Sequence, residues 1–414
     1  MSAMVDDDDI SLPSDDELEE ETTEVAEEEE VARDLSSTEV VTKYLEASRI
    51  TNLALETLIP HIVAGAKILD LIKIGEALIT KSLDKIYNKK VNGKPVLKGM
   101  AFPVCLSVNE KICNYTPLAS EAPEDGLVAG DMVKIDLGCH IDGYIAVAAH
   151  TVCVSSQGTT PELPGPSAGT VCAAAHNAML VAAATIKAGN TNAQVTTALD
   201  KVCEAYGVKC ISNVRMHQMK HFVIDGPKEI ALRAPNVDEG EERVETCTFE
   251  ENEVYCVDIA MSTGEGKGRE GTDRTTVYKR NVDQTYKLRM KASHYLLKAV
   301  TDNFPTMPFS LRMVSDERQA KMGVKECVDH NLLSAYPVFN ERDGVFVAHY
   351  KCTVLLMPGG TRRVTGLGLP EYFTTDKVLD EENRKMLEEI REKEEKKRKK
   401  AEAKKKKKKK AAGK

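Results

Sequence analysis

Residues 132–154 read MVKIDLGCHIDGYIAVAAHTVCV, two apolar runs joined by the tetrapeptide HIDG. Each run has the composition of a β-strand, and Asp142 followed by Gly143 supplies the chemistry of a tight hairpin turn. The first run contains one carboxylate, Asp136, and the second contains Val147. The sequence therefore predicts an antiparallel hairpin that presents Asp136 from a strand.

Similar apolar runs on both sides of the hairpin predict further strands. They are AFPVCLSVN, VYCVDIAM, TTVYKR, FVAHYKCTVLLM and RRVTG, which begin at residues 101, 254, 275, 346 and 362. Helical spacing is found from about Ile68 to Leu78, Ala168 to Lys187 and Ala193 to Tyr206. Helices and strands do not alternate regularly, so we expect an α+β fold with helices on one face of a curved sheet.

Composition divides the chain into three parts. Residues 1–34 are acidic and predict a disordered tail. Residues 35–375 are expected to form the folded domain, with a capping box of Ser36 and Glu39 at its first helix and a helical insertion at about residues 284–342. From residue 376, an apolar stripe predicts a helix that leads into a lysine-rich tail; its residues are Val378, Leu379, Met386, Leu387 and Ile390.

Charge differs strongly between the two ends of the chain. Residues 1–34 contain seven Asp, nine Glu and one Arg, a net charge of -15, and Ser14 is either a phosphorylation site in an acidic context or a solvated serine. Residues 396–414 contain thirteen basic residues and Glu402, a net charge of +12. The basic end is therefore expected to attract polyanions that the acidic end repels.

The lysine-rich tail predicts RNA binding through phosphate contacts that release counterions. With no Trp in the chain and 5% aromatic residues, base stacking and sequence-specific readout are not indicated. A solubilising tail is the alternative. The predicted RNA-binding residues are Lys396, Lys397, Arg398, Lys399, Lys400, Lys404, Lys405, Lys406, Lys407, Lys408, Lys409 and Lys410.

Other sequence features argue against a membrane or secreted protein. We find neither a run of about 20 apolar residues nor a basic and apolar leader after the initial MSAMVDDDD. The 11 cysteines have no CxxC pair, and we expect reduced thiols in an intracellular compartment.

Several phrases resemble a known family and occur in its order. They are GMAFPVCLSVNEKICNYTP, HQMKHFVIDGPKEI, EVYCVDIAMSTGEGKG and FVAHYKCTVLLMPGG, at residues 99–117, 217–230, 253–268 and 346–360. From about Asp34 to Leu369 the chain resembles the M24 fold of methionine aminopeptidases, and more closely the proliferation-associated (ErbB3-binding) proteins, which are catalytically inactive relatives of the type 2 enzymes. The resemblance implies the pita-bread fold, with curved antiparallel sheets covered by helices.

The resemblance also implies five metal-ligand positions, of which two have lost their ligands. Active aminopeptidases bind two divalent ions with two hairpin aspartates, a histidine and two glutamates, and the equivalent positions here are Asp136, Val147, His217, Asp258 and Lys351. Valine offers no donor atom, and an ammonium group has no lone pair and repels cations. We therefore expect no metal and no cofactor, with the surviving ligands either kept for packing or holding a vestigial ion.

Two catalytic histidines of the enzymes correspond to Asn114 and Asp225. Because asparagine cannot shuttle a proton, the resemblance implies a pseudoenzyme rather than an aminopeptidase. A working metal-dependent methionine aminopeptidase with altered ligands is the alternative. A protein-interaction scaffold or transcriptional co-regulator that uses the old peptide cleft is a third hypothesis.

Partners follow from the same resemblance. Proliferation-associated proteins bind structured and ribosomal RNA, associate with the large ribosomal subunit near the tunnel exit, act in ribosome biogenesis and growth control, and occur in cytoplasm, nucleus and nucleolus. A solvated helical face would carry the same charges as a ribosome-facing insertion. The candidate residues in the insertion are Lys287, Arg289, Lys291, Arg312, Arg318, Lys321 and Lys325.

Overall fold

The computed structural model describes residues 34–91, 93–156, 158–236, 240–392, 396 and 399. The predicted acidic tail up to residue 33, with Ser14, and most of the lysine-rich tail lie outside these residues. The helices are α1 (Thr38–Leu58), α2 (Ile68–Leu83), α3 (Pro166–Thr185), α4 (Asn192–Tyr206), α5 (Lys291–Asn303), α6 (Glu317–Asp329) and α7 (381–392).

Two helix starts differ from the sequence prediction. The N-cap of α1 is Ser37, which makes no side-chain capping bond, so the predicted box of Ser36 and Glu39 is wrong. The backbone N–H of Ser36 instead donates to Asp34 Oδ1 over 2.8 Å. Helix α7 begins at residue 381 rather than 376, which leaves Val378 outside the helix and 65% exposed.

Fifteen strands lie in the described residues, and nine of them form one antiparallel sheet whose main path runs β1-β3-β4-β14-β8-β6-β7. Their bounds are β1 (Lys98–Val108), β2 (Lys111–Cys113), β3 (Met132–Ile141), β4 (Tyr144–Cys153), β5 (Lys209–Cys210), β6 (Arg215–Met219), β7 (Glu229–Ala231), β8 (Val254–Ser262), β9 (Arg269–Glu270), β10 (Val277–Arg280), β11 (Phe309–Ser310), β12 (Leu333–Tyr336), β13 (Phe339–Asn340), β14 (Val347–Met357) and β15 (Gly360–Arg363).

The predicted hairpin is β3 and β4, in which every residue is buried. Its register runs from Met132 opposite Cys153 to Ile141 opposite Tyr144. Asp142 and Gly143 have φ values of 53° and 73°, as a type I′ turn requires. The hairpin can therefore lie in the middle of a sheet that is covered on both faces.

Helices cover one face of this sheet, as the sequence predicts. Helices α1 and α2 pack on β1, β3 and β4, α3 packs on β8 and β14, and α4 packs on α3 and β7. Along β4, Ala146 and Ala148 face the helices, whereas Ile145 and Val147 face the opposite side. The period of two along a strand thus directs Asp136, between Ile135 and Leu137, away from the helices.

The insertion forms a small layer with its own apolar core. Helices α5 and α6 pack on a three-stranded sheet ordered β11-β10-β12, around Leu296, Phe309 and Leu333. A bidentate ion pair joins the insertion to the body, in which Arg312 donates to the Glu76 carboxylate of α2 over 2.8 and 2.5 Å. The insertion thus contains the short strands β11 and β12 as well as helices, although the sequence predicts only helices there.

Helix α3 is long and apolar enough to cross a membrane, contrary to our expectation that the chain has no such run. Of its most apolar window, 83% is buried inside the protein. The helix packs between the sheet and α4, where Asn177 donates to the Tyr206 hydroxyl over 2.6 Å. Its apolar surface is thus accounted for by the core.

Candidate functional site

Four adjacent strands bring four of the five predicted ligand positions together on the sheet face opposite the helices, and the fifth, His217, lies on the next strand, β6. Ala149 on β4 lies opposite both Asp136 on β3 and Lys351 on β14. Lys351 in turn lies opposite Asp258 on β8. The three charged residues therefore form a row across the sheet, with the short side chain of Ala149 between two of them.

Lys351 pairs with both carboxylates of this row. Its Nζ donates to Asp136 Oδ2 over 2.6 Å and lies 3.0 Å from Asp258 Oδ2. The same Nζ lies 5.0 Å from the centre of the Phe102 ring, within the range of a cation–π contact. The ammonium group thus lies between the two carboxylates.

Asp258 has a second partner that the sequence analysis missed. His349 lies two residues before Lys351 on β14, and its Nε2 is 2.6 Å from Asp258 Oδ1. Spacing of two on a strand places both side chains on one face, but the link to Asp258 depends on the register of two strands 91 residues apart. We call Asp136, Asp258, His349 and Lys351 the lysine cluster.

Burial and charge act in opposite directions on the pKa values in the lysine cluster. Burial alone would lower the pKa of Lys351, but Asp136 and Asp258 outweigh it and hold that pKa well above its usual value. Burial raises the pKa of Asp258, and the charges of Lys351 and His349 more than offset it, leaving a pKa of about 2. Lys351 and Asp258 are therefore both charged at neutral pH.

The Val147 position is apolar. Its side chain is 1% exposed and packs in a cluster with Phe102 and Cys105. Its backbone is fixed by threonines, since its N–H donates to Thr353 Oγ1 over 3.0 Å and its carbonyl accepts from Thr365 Oγ1 over 2.6 Å. No oxygen donor replaces the missing carboxylate at this position.

His217 lies on the short strand β6. It lies opposite Cys256 on β8 and Glu229 on β7. Its Nδ1 is buried without a hydrogen-bond partner and lies 3.9 Å from Glu229 Oε1. Burial lowers the pKa of this imidazole, with Glu229 opposing the shift, so a neutral ring is favoured.

Asn114 and Asp225 are each hydrogen-bonded to other residues of the chain. Asn114 has a left-handed backbone with φ of 66°, and its amide donates to the Pro337 carbonyl over 2.9 Å. Asp225 accepts from Lys279 Nζ over 2.5 Å and from the Tyr336 hydroxyl over 3.4 Å. The Asn114 amide cannot shuttle a proton, and the Asp225 carboxylate is paired with an ammonium group.

The residues present do not fit a pair of metal ions. Within the described ranges, no group of three or more His, Cys, Asp or Glu side chains is arranged to hold a metal. Lys351 pairs with the two surviving carboxylates at hydrogen-bond distance, and its ammonium charge would repel a divalent ion close to its Nζ.

The basic candidates of the insertion fall into three groups. Lys287, Arg289, Lys291 and Arg318 are at the surface. Lys321 and Lys325 form ion pairs with Glu121 and Asp329, at 2.5 and 3.0 Å. The placement of Arg312 on an accessible basic face is wrong, because its side chain is 8% exposed and its guanidinium group is paired with Glu76.

Only the beginning of the lysine-rich tail lies in the described residues. Lys396 is helical and pairs with Glu392 over 3.1 Å, one turn earlier, and Lys399 is also helical. Lys397, Arg398, Lys400 and residues 404–410 lie outside the described residues. RNA binding by the tail therefore stays a prediction.

Comparison with known proteins gives consistent matches. The model of metallopeptidase family M24 matches residues 42–278. ERBB-3 binding protein 1 of Solanum tuberosum is 45% identical, over 84% of this chain and 87% of its own length. The curved DNA-binding protein of Schizosaccharomyces pombe is 38% identical, over 82% and 87%. A solved structure of a thermophilic Arx1 is 29% identical with a TM-score of 0.77, covering 85% of this chain and 98% of that one.

Proposed function

The chain belongs to metallopeptidase family M24 and within it to the ErbB3-binding, proliferation-associated proteins, and on this premise we propose that it is a non-catalytic member that binds RNA and ribosomes. Its fold is the pita-bread fold of that family. The proposal has two parts, loss of aminopeptidase chemistry and gain of polyanion binding, and each has its own test.

The lysine cluster carries the first part of the proposal. A two-metal hydrolase needs several carboxylates around its ions to activate water. Here Lys351 Nζ lies within 3.0 Å of both remaining carboxylates, and Val147 supplies no oxygen. An internal ammonium cannot lower the pKa of a bound water as a divalent ion does, so aminopeptidase catalysis has no means to proceed.

The charge distribution supports the second part. Positions 396–414 hold thirteen basic residues against a single acidic one, and phosphate polyanions bind such runs by counterion release. Lys287, Arg289, Lys291 and Arg318 add exposed basic side chains to the surface of the insertion. One relative is named as a DNA-binding protein, which is consistent with affinity for nucleic acid.

The partner we propose is ribosomal and structured RNA, on the large subunit near the tunnel exit. We further propose a role in ribosome biogenesis linked to growth control, in cytoplasm, nucleus and nucleolus. No membrane or cofactor is required. These assignments rest on the family resemblance and on the lack of aromatic residues among the tail lysines, which favours recognition of charge and shape over base sequence.

Metal content and peptide cleavage together test the pseudoenzyme. The purified protein, incubated with Mn²⁺ or Co²⁺ and desalted, is expected to retain no stoichiometric metal and to release no methionine from a Met-initiated peptide. A Val147→Asp/Lys351→Glu variant is the matched control, because it restores both carboxylates and is expected to bind divalent metal. If the natural protein instead retains two metal ions and releases methionine, it is a metal-dependent methionine aminopeptidase with altered ligands.

Sedimentation tests the ribosome partner. In a lysate at low salt, the protein is expected to travel with ribosomal particles and to leave them as salt is raised. A variant that lacks residues 396–414 is expected to leave them at lower salt, and a Lys287→Gln/Arg289→Gln/Lys291→Gln variant reports on the insertion. If all three proteins stay at the top of the gradient and a peptide is captured in the cleft without cleavage, the scaffold hypothesis gains support.

A further inference from the structure

One pair among the cysteines differs from the rest. The sulfur atoms of Cys203 and Cys210 lie 3.4 Å apart and share a hydrogen bond. Cys203 lies near the end of α4, and Cys210 lies on β5, where it pairs with Met261 of β8. We propose that these two residues form a peroxide-reactive dithiol that closes to an intramolecular disulfide, a modification site independent of the proposed RNA binding.

The backbone between the two cysteines favours closure. Helix α4 ends at Gly207, which has a left-handed conformation with φ of 66°, and the Val208 N–H donates back to the Cys203 carbonyl over 3.1 Å. This reversal places the end of the helix directly beside β5. A disulfide needs an S–S distance of about 2.0 Å, so the sulfurs must approach by roughly 1.4 Å, which side-chain rotation at a helix end can supply.

The two thiols have different roles because their surroundings differ. Cys203 is half-buried and accessible to a small peroxide, whereas Cys210 is 1% exposed. The hydrogen bond from the Cys210 thiol lowers the pKa of Cys203, against the effect of burial, and raises that of Cys210. The negative charge of Asp200 raises the pKa of Cys203, while the positive charge of Arg233 lowers the pKa of Cys210. Cys203 is therefore the attacking thiol and Cys210 the resolving thiol.

The reaction balances with hydrogen peroxide as the oxidant. The Cys203 thiolate sulfur attacks one peroxide oxygen, the O–O bond breaks, and the departing hydroxide takes up the proton that Cys203 released to give water. Cys203 is then a sulfenic acid. The Cys210 sulfur attacks it and displaces hydroxide, which leaves as a second water with the Cys210 proton. Two thiols are oxidised to one disulfide as one peroxide is reduced to two waters.

The remaining cysteines give a basis for selectivity. Cys247 is also half-buried, but its sulfur contacts the Glu229 carbonyl at 4.0 Å, and burial raises its pKa. A Cys247 sulfenic acid would have no thiol at this contact to resolve it. Cys153 and Cys172 are buried, and burial raises their pKa values as well. Oxidation at Cys203 is expected to be faster than at any of these.

Mass spectrometry of the full-length folded protein tests the proposal. After reduction, brief treatment with hydrogen peroxide and alkylation of free thiols, a peptide that links Cys203 to Cys210 is expected, with a mass about 2 Da below the sum of the two thiol peptides. Cys247 is expected to remain alkylated at least about tenfold more than Cys203. A linked peptide that appears only in urea, or Cys247 oxidation as fast as Cys203 oxidation, would overturn the proposal.

Two variants separate the roles of the thiols and guard against misfolding. Cys210→Ala is expected to leave Cys203 as a sulfenic acid that a dimedone probe traps, and Cys203→Ser is expected to abolish trapping and leave Cys210 reduced. Because Cys203 is half-buried, its serine variant should keep the far-ultraviolet circular dichroism of the natural protein. Equal dimedone labelling of the natural protein and the Cys210→Ala variant would show that Cys210 does not react with the Cys203 sulfenic acid, and would contradict the proposal.

Discussion

Lys351 and Asp136 lie on strands that are not neighbours, and their side chains meet over Ala149 of the strand between them, with 2.6 Å from Nζ to Oδ2. A larger residue than alanine at that position would separate the two groups. The contact between Lys351 and Asp136 therefore depends on the small, uncharged Ala149 as well as on the two charged residues.

Removal of the Lys351 charge is expected to destabilise the fold strongly. Lys351→Met leaves the buried Asp136 and the partly buried Asp258 without the ammonium group that joins them, which costs about 3–5 kcal/mol in the free energy of unfolding. Urea denaturation measures the change. Lys325→Met, which removes a solvent-exposed partner of Asp329, is the control and should change the free energy of unfolding by less than about 0.5 kcal/mol. A triple variant that adds Asp136→Asn and Asp258→Asn should recover part of the stability.

Acid is expected to weaken the fold in two overlapping pH windows. Burial lowers the pKa of His140 to about 4 and of His150 to about 3, so both stay neutral in the folded protein. The unfolded chain takes up these protons from about pH 6.5 downward, so stability present above that pH is lost as pH falls, by about 1.4 kcal/mol per pH unit for each histidine. The lowered pKa of Asp258, about 2, adds stability that is lost only below about pH 4.

Variants at His140 test this pH dependence. His140 Nδ1 accepts a hydrogen bond from the Gly143 N–H over 3.2 Å, and His140→Asn keeps an acceptor there without a titrating group. The slope of stability against pH between about 6.5 and 4 should fall by about 1.4 kcal/mol per unit. An unaltered slope in the His140→Asn variant would contradict the lowered pKa of His140.

The pair of Arg312 and Glu76 is expected to hold the insertion on the body. Arg312→Met leaves the Glu76 carboxylate, 15% exposed, without its cation and should cost about 3 kcal/mol. Hydrogen exchange should increase in residues 304–316 in particular. Arg318→Met, at the surface of α6, is the control. In a double variant with Glu76→Gln, the two effects should not add, because they remove one shared interaction.

Salt dependence is expected to distinguish the tail from the folded body. Deletion of residues 396–414 should reduce the slope of log affinity against log salt by about 0.7 for each phosphate of single-stranded RNA that the tail neutralises. Fluorescence anisotropy with a labelled ribosomal RNA fragment measures both slopes. Deletion of residues 1–34 reports on competition between the two ends, and higher RNA affinity after that deletion would mean that the acidic end occupies the tail.

The hairpin, most strands and most helices could be predicted because local pattern determines them. The strands β3 and β4 follow directly from two apolar runs around Asp142 and Gly143. The positions of helix ends were less predictable. Helix α7 begins at residue 381 because Asp380 accepts from the Asn383 N–H over 3.0 Å, a capping contact that the apolar stripe does not reveal.

The lysine cluster was only partly predictable from sequence. The resemblance identified Asp136, Asp258 and Lys351, but His349 was missed because its contact with Asp258 depends on strand register. Arg312 was misplaced for a similar reason, since its partner Glu76 lies 236 residues away and charge alone suggests exposure. The proximity of Cys203 to Cys210 was also hidden, because spacing of seven residues across a helix end is not a recognised cysteine motif.

A tethered ammonium group has a consequence for the life of the protein in a cell. The cation of an active aminopeptidase can be removed by a chelator or withheld when trace metals are scarce, whereas the cation between Asp136 and Asp258 is part of the chain. Every copy leaves synthesis with its internal counterion already supplied. The positive charge between these two carboxylates is thus supplied by the chain itself and does not depend on the metal supply of the cell.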